Sequence, residues 1–246
     1  MTSPVLAGSL GECCFTAVKH EGTPIGRTDA IAGVPTYVSE PPSGGKTAQK
    51  PRVVLYFADV YGPFYVNNQL VQDYFASQGF FVVGVDYFLG DPVHIHTEPD
   101  FDRPAWLAKS KQQAKDMMPR WAGSYSGEYT AVGYCFGAPF VLDLAASGDI
   151  VAGAIGHPAF LTEDHFKNIK KIDHTFPLES RRRAEDILIE NKASYCFQVF
   201  SGVKHGFALR GDPNVGDTRW AKEESARGIA NWFQRFCGEA SQLVKL

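Results

Sequence analysis

The chain lacks both a long apolar segment and an excess of either charge. Apolar stretches such as residues 79–85 are far shorter than the roughly 18 residues that a membrane-spanning helix needs. Lys and Arg number 24 and Asp and Glu number 27, a net charge of −3, which excludes a strongly basic nucleic-acid-binding protein. Residues 1–11 contain no Lys or Arg before their few apolar side chains, so we expect no secretory signal there. We therefore expect a protein that binds neither membranes nor nucleic acids.

The cysteines do not form a disulfide or zinc pattern. There are five, Cys13, Cys14, Cys135, Cys196 and Cys237, and no two of them have CxxC spacing. The odd number and the adjacent pair argue against a disulfide framework and favour a reducing, cytoplasmic setting. We expect no structural metal, because no cysteine and histidine have the spacing of a zinc site. We also expect no cofactor.

The composition is that of a folded domain. Hydrophobic residues make up 44% of the 246 residues and charged residues 21%, which suffices for a sizeable core. Continuous apolar runs at 52–58 and 80–85 are typical of strands buried on both faces of a parallel sheet. Helical patterns, such as residues 105–121, alternate with them. This alternation predicts an α/β fold, with a mostly parallel central sheet covered by helices on both faces, in one domain spanning residues 1–246.

The most informative segment is the pentapeptide GYCFG at residues 133–137. It follows a predicted strand and precedes an apolar helix, which is the context of a nucleophile elbow, the sharp strand-to-helix turn with the pattern G-x-nucleophile-x-G. Such a turn would present the Cys135 thiol at the top of the sheet, where the start of the helix favours the thiolate. The N–H of Phe136 would point to the same place. Taken alone, the segment fits a buried structural cysteine equally well.

Two later residues supply partners for the thiol. Hydrolases with this turn carry an acid and then a histidine downstream of the nucleophile, and Asp173 and His205 follow in that order. His205 lies in a glycine-flanked loop after the strand predicted at 195–200, at the sheet edge where ligands of open α/β sheets gather. An imidazole holds the thiol as a thiolate, and a carboxylate fixes the tautomer of the imidazole. We therefore predict a triad of Cys135, His205 and Asp173.

These segments resemble the dienelactone hydrolase family, in particular its fungal members. The resemblance is implied by GYCFG at 133–137, IDHTFP at 172–177, GVKHGFALRG at 202–211, and CC at 13–14 followed by VKHEGTPIG at 18–26. It implies an α/β-hydrolase fold and a Cys-His-Asp triad that acts on a lactone or an activated ester. It also implies that the N–H of Val60 joins that of Phe136 in an oxyanion hole.

This chain departs from the bacterial members of the family at two places. Those relatives carry a glutamate after the first central strand that contacts the resting thiol, and this chain has the shorter Asp59 there. Arg210, five residues after His205, is a candidate for binding a substrate carboxylate. The loop at residues 86–91 lacks the arginine that the bacterial enzymes carry, and because of this departure we expect a substrate other than a dienelactone.

The chain has little strand-forming sequence before Asp173. An α/β-hydrolase needs an apolar strand that leads to its acid, whereas Phe166, Ile169 and Ile172 recur at helical spacing. Either residues 168–172 serve as a poor strand, or the sheet has a gap and Asp173 is displaced. Each apolar side chain of a complete strand would contribute about 1.5–3 kcal/mol, so we expect a degenerate strand to lower stability and turnover.

Three functions fit the sequence. The first is a cysteine-dependent hydrolase of a small ester or lactone, and the second is an acyl transferase or thioesterase that uses the same triad. The third is a non-catalytic member of the fold that binds a small molecule, which a missing strand would favour. In each case we expect a monomer or a weak homodimer. His94 and His96 form no metal site on this reading, because no third ligand is spaced near them.

Overall fold

The chain alternates strands and helices along most of its length. The computed structural model describes residues 3–42, 52–124, 129–167, 169, 171–174 and 178–238. The strands are β1 (Val5–Ala7), β2 (Arg27–Ile31), β3 (Val34–Ser39), β4 (Val53–Phe57), β5 (Phe81–Val85), β6 (Tyr129–Tyr134), β7 (Ala152–Gly156), β8 (Leu161–Thr162), β9 (Lys171–His174) and β10 (Ser194–Phe197). The helices are α1 (Val66–Ser77), α2 (Arg103–Ala122), α3 (Ala138–Ser147), α4 (Glu163–Lys167), α5 (Leu178–Glu190), α6 (Phe207–Arg210) and α7 (Gly216–Gly238).

Eight of these strands form one sheet in the order β10-β9-β7-β6-β4-β5-β3-β2. The strands from β10 to β5 are parallel to one another, and β3 and β2 are added antiparallel at one side. The prediction of a mostly parallel sheet is therefore confirmed. Because all the parallel strands end at the same edge, the loops that follow β4, β6, β7 and β10 meet there.

Helices cover both faces of the sheet, as predicted. Alternate residues of β4 face opposite sides: Leu55 packs in the cluster that contains residues of α2, α3 and α5, and Val54 packs in the cluster that contains residues of α1 and α7. Both side chains are fully buried. Among the described residues, no helix is both long and apolar enough to cross a membrane.

The strand before the predicted acid is present but short. β9 pairs in parallel with β7 on one side and with β10 on the other, and Asp173 lies opposite Ala154 and Cys196. Of the two alternatives for this region, the gapped sheet is therefore wrong. The strand spans 171–174 rather than the expected 168–172, so Asp173 lies within it. The helical spacing is real further upstream, where α4 buries Phe166. Two neighbouring strands offer backbone partners to residues 171–174, which explains the local switch to strand.

Candidate active site

Cys135 lies at the turn between β6 and α3. It follows the last residue of β6 directly, and a short 3₁₀ turn, Cys135–Gly137, leads into α3. Its φ of 50° is in the left-handed region, which non-glycine residues adopt at a cost of about 1–3 kcal/mol. The side chain is fully buried. The segment 133–137 therefore has the strand-turn-helix geometry of a nucleophile elbow.

The two glycines of the segment permit this turn. A Cβ on Gly133 would lie 2.5 Å from the carbonyl oxygen of Gly137, and a Cβ on Gly137 would overlap the carbonyl oxygen of Phe57 at the end of β4. The turn can therefore close, and pack against the neighbouring strand, only when both positions lack a side chain.

The thiol of Cys135 has two close partners, Cys14 and His205. Cys14 belongs to the 3₁₀ turn Glu12–Phe15 near the start of the chain, and its Sγ lies 3.7 Å from the Sγ of Cys135. The ligand atoms of Cys14, Cys135 and His205 all lie within 4.8 Å of one another. No role for Cys14 is evident from the sequence. The only signal for it was the adjacent cysteine pair at 13–14.

The two thiols have opposite pKa shifts. The hydrogen bond from Cys135 lowers the pKa of Cys14 to about 4, against the effect of burial, and His205 lowers it further. The same hydrogen bond, together with burial, raises the pKa of Cys135 well above that of an ordinary thiol. The direction of the shift at Cys135 is opposite to the prediction that the start of the helix favours its thiolate.

His205 lies in the loop between β10 and α6. Its ring is half-buried, and its Nε2 atom is buried without a hydrogen-bond partner among the described residues. The backbone of Asp173 lies in β9, the strand adjacent to β10. The side chain of Asp173 lies outside the part of the chain that the structure describes. The structure thus brings Cys135 and His205 together and places Asp173 on the neighbouring strand.

A second histidine, His157, packs against the site and was missed by the sequence argument. It follows β7 directly, and its ring centroid lies 4.9 Å from that of His205 and 5.6 Å from that of Tyr134. Burial, then the charges of His205 and Arg210, hold its pKa well below the usual value for histidine. His157 is therefore an uncharged side chain that packs against His205.

Asp59 and Arg210 form a buried ion pair beneath the thiols. Arg210 Nη1 donates to Asp59 Oδ2, and neither side chain is appreciably exposed. Asp59 Oδ1 also accepts from the side chain of Asn68 and from the N–H of Tyr61, each at 3.1 Å. Arg210 donates in addition to the carbonyl oxygen of Cys13 at 3.3 Å. The resemblance implies a contact of Asp59 with the thiol and of Arg210 with a substrate carboxylate. In the structure the two residues pair with each other instead.

The two backbone groups expected to bind an oxyanion hold equivalent positions on adjacent strands. In the parallel register of β4 and β6, Phe57 lies opposite Gly133. Val60 and Phe136 each come three residues after these partners, at the carboxyl edge of the sheet. Both residues are buried. Both backbones therefore lie at the same edge of the sheet as Cys135.

A cavity of about 690 Å³ lies on the same side of the fold, but Cys135 and His205 are not among its lining residues. Phe15 and Tyr61, sequence neighbours of Cys14 and Val60, form part of its wall. Tyr61 also stacks on His94, with ring centroids 5.7 Å apart. The full lining comprises Phe15, Ala17, Tyr61, Tyr65, Val93, His94, His96, Thr97, Glu98, Pro99, Phe101, Arg103 and Pro104. The cavity is large enough for a small organic molecule, and its many rings favour a planar one.

Comparison with known proteins identifies the family of this chain. The family model for the dienelactone hydrolase family matches residues 34–237. The chain belongs to the dienelactone hydrolase family. Dienlactone hydrolase 1 of Gibberella moniliformis is 34% identical over 94% of this chain and 96% of its own length. Hydrolase pyvD of Aspergillus violaceofuscus is 33% identical over 92% of this chain and 96% of its own.

Solved structures agree on the fold. A dienelactone hydrolase from Anabaena variabilis is 15% identical and has a TM-score of 0.55, over 88% of this chain and 99% of the other. A dienelactone hydrolase-like promiscuous phosphotriesterase from metagenomic libraries is 18% identical and has a TM-score of 0.63, over 86% of this chain and 98% of the other. The predicted α/β-hydrolase fold and membership of a family of hydrolases are thereby confirmed.

The elbow glycines can be tested with one methyl group. We expect Gly137→Ala to lower the free energy of unfolding by about 1–3 kcal/mol, because the new Cβ forces the turn away from β4. Gly216→Ala is the matched control, since a Cβ there meets nothing within 4 Å. Urea denaturation of both variants measures the difference. An unchanged midpoint in Gly137→Ala would show that the turn has room for a side chain.

The buried ion pair can be tested with a double-mutant cycle. Asp59→Asn removes the counter-charge of a buried guanidinium, so we expect it to destabilise the protein by about 3–5 kcal/mol. Asp59→Asn combined with Arg210→Met should recover part of this loss. Glu223→Gln, which breaks the exposed pair with Arg219, should cost less than about 1 kcal/mol. Similar small losses in Asp59→Asn and Glu223→Gln would contradict a buried pair that matters to folding.

Proposed function

We propose that this member of the dienelactone hydrolase family is a cysteine-dependent hydrolase of a small lactone or activated ester. Cys135 is the nucleophile, His205 is the general base and acid, and Asp173 orients the imidazole. The observation that supports this most directly is the placement of a buried thiol in an elbow, at φ 50°, with a histidine nitrogen within 4.8 Å. Both groups lie at the carboxyl edge of the sheet.

The proposed reaction has two steps. The Cys135 thiol transfers its proton to His205 as Sγ attacks the carbonyl carbon, and the N–H groups of Phe136 and Val60 bind the developing oxyanion. His205 then gives the proton to the leaving alkoxide, which departs as an alcohol. Water, deprotonated by His205, hydrolyses the thioester and restores the thiol. With a lactone as substrate, the product is a hydroxy acid.

The resting thiol needs activation in this scheme. Its proton is held by the contact with Cys14 and by burial, which raise its pKa, whereas the positive charge of Arg210 acts in the opposite direction. In this scheme Asp59 and Arg210 form a fixed ion pair near the thiols. A substrate carboxylate would have to compete with Asp59 for the guanidinium, so a neutral substrate fits this arrangement better than an acidic one.

The other candidate functions have less support. A non-catalytic role was motivated by the absence of the strand before Asp173, and β9 removes that reason. Acyl transfer and thioester cleavage share the same nucleophile and differ in the acceptor or the leaving group. A screen of neutral lactones, acidic lactones, aryl esters and thioesters on the purified chain separates them by rate.

The assignment of nucleophile and base can be tested by turnover of the best substrate from that screen. We expect Cys135→Ala to abolish turnover and Cys135→Ser to leave only a weak residue, because a serine hydroxyl is poorly activated by a base arranged for a thiol. His205→Ala should remove activity while circular dichroism stays that of the folded protein.

Cys196→Ser is the matched control, because that cysteine is exposed and lies in β10, away from the elbow; it should keep full turnover. Wild-type turnover by Cys135→Ala would show that another group is the nucleophile.

A further inference from the structure

Three soft donor atoms converge at the elbow from three distant parts of the chain. Cys14 comes from the amino-terminal 3₁₀ turn, Cys135 from the elbow and His205 from the loop after β10. All three ligand atoms lie within 4.8 Å of one another. The sequence shows no zinc spacing because these residues are far apart along the chain, and only the fold brings them together.

The separations match the edges of a tetrahedral metal site. Two thiolates bound to zinc at about 2.3 Å each lie about 3.8 Å apart, and a thiolate and an imidazole nitrogen lie about 3.6 Å apart. The Sγ atoms of Cys14 and Cys135 are 3.7 Å apart, so an ion fits between them without separating them. The His205 nitrogen lies within 4.8 Å of both sulfurs, so a shift of its ring by about 1.2 Å or less would bring the two remaining edges to tetrahedral length.

We propose that Cys14, Cys135 and His205 form a binding site for Zn²⁺ or a similarly soft divalent cation. The bound ion inhibits turnover, because it ligates both the nucleophile and the base. This inhibitory role rests on the proposed function. The binding itself rests only on the three ligands. The fourth position of the tetrahedron remains for water, as in zinc sites with three protein ligands.

The surroundings favour a soft cation over a hard one. Cys14 and Cys135 are almost fully buried, and the nearby carboxylate of Asp59 is already bound to Arg210. Mg²⁺ and Ca²⁺ require several oxygen ligands, whereas two sulfurs and an imidazole suit Zn²⁺ and Co²⁺. The imidazole of His205 already interacts with the Cys14 thiol, so two of the three ligands are in contact before an ion binds.

Cobalt provides a readout that does not depend on turnover. The full chain is reduced with a non-thiol phosphine, freed of metal and titrated with Co²⁺, whose thiolate complexes give a sulfur-to-metal charge-transfer band. We expect one Co²⁺ per chain, displaced by one Zn²⁺. Cys14→Ser and His205→Ala should each weaken binding by more than about 100-fold, since even the loss of an outer-shell partner costs 10–100-fold. Cys196→Ser is the control and should bind as the wild type does.

Two results would overturn the site. One is the absence of the charge-transfer band in the wild type, and the other is a band of unchanged affinity in both Cys14→Ser and His205→Ala. The inhibitory role is tested separately. Zn²⁺ should inhibit ester turnover with an inhibition constant equal to the dissociation constant found by cobalt displacement, and a chelator should restore the rate. Full turnover of the zinc-loaded chain would contradict that role while leaving the binding site standing. Full turnover by metal-free Cys135→Ala would contradict the proposed function instead.

Discussion

The arrangement of the active site depends on the close backbone approach at the elbow. Cys135 adopts a left-handed backbone because Gly133 and Gly137 lack side chains, and Gly137 packs directly against the carbonyl oxygen of Phe57 at the end of β4. The N–H of Ala159 fixes the Cys135 carbonyl from the loop after β7, at 3.1 Å. Three adjacent parallel strands thus determine the position of one thiol. This explains how a conformation that costs about 1–3 kcal/mol persists.

The charged and polar groups near the elbow have little access to water. The Asp59–Arg210 pair is buried, and the hydrogen bond between the two thiols lowers the pKa of Cys14 and raises that of Cys135. In surroundings of low dielectric constant, such contacts are stronger than they would be in water. Burial, and then the neighbouring His205 and Arg210, hold the pKa of His157 well below that of an ordinary histidine. The thiol of Cys135 therefore lies among buried polar groups, with Cys14 and His205 as its close neighbours.

Much of this could be read from the sequence, because the signals were local. The apolar runs predicted β4 and β5 to within one residue at each end, and the glycine pattern placed the elbow correctly. The last sheet strand was expected at 195–200 but ends at Phe197, since strand boundaries depend on which backbone partners remain available. Ile172 of β9 continues the helical spacing of Phe166 and Ile169, and residues 171–174 form a strand because β7 and β10 flank them.

The residues that the sequence did not place act across long separations. Cys14 lies in an amino-terminal turn without periodicity, 121 positions from the thiol that it contacts. Arg210 and Asp59, 151 positions apart, were each assigned a different partner because the resemblance to bacterial enzymes suggested separate roles. Composition and spacing cannot report such contacts, since the packing of loops at the sheet edge creates them.

The central claim is that Cys135, rather than the adjacent Cys14, attacks the substrate. The direct measurement is to quench the enzyme with acid during turnover of an activated aryl ester and to locate the acyl group by peptide mass spectrometry. Our account predicts one acyl group, on the peptide that contains Cys135, both in the wild type and in Cys14→Ser. An acyl group on Cys14, or no adduct on Cys135 under conditions of rapid turnover, would contradict it.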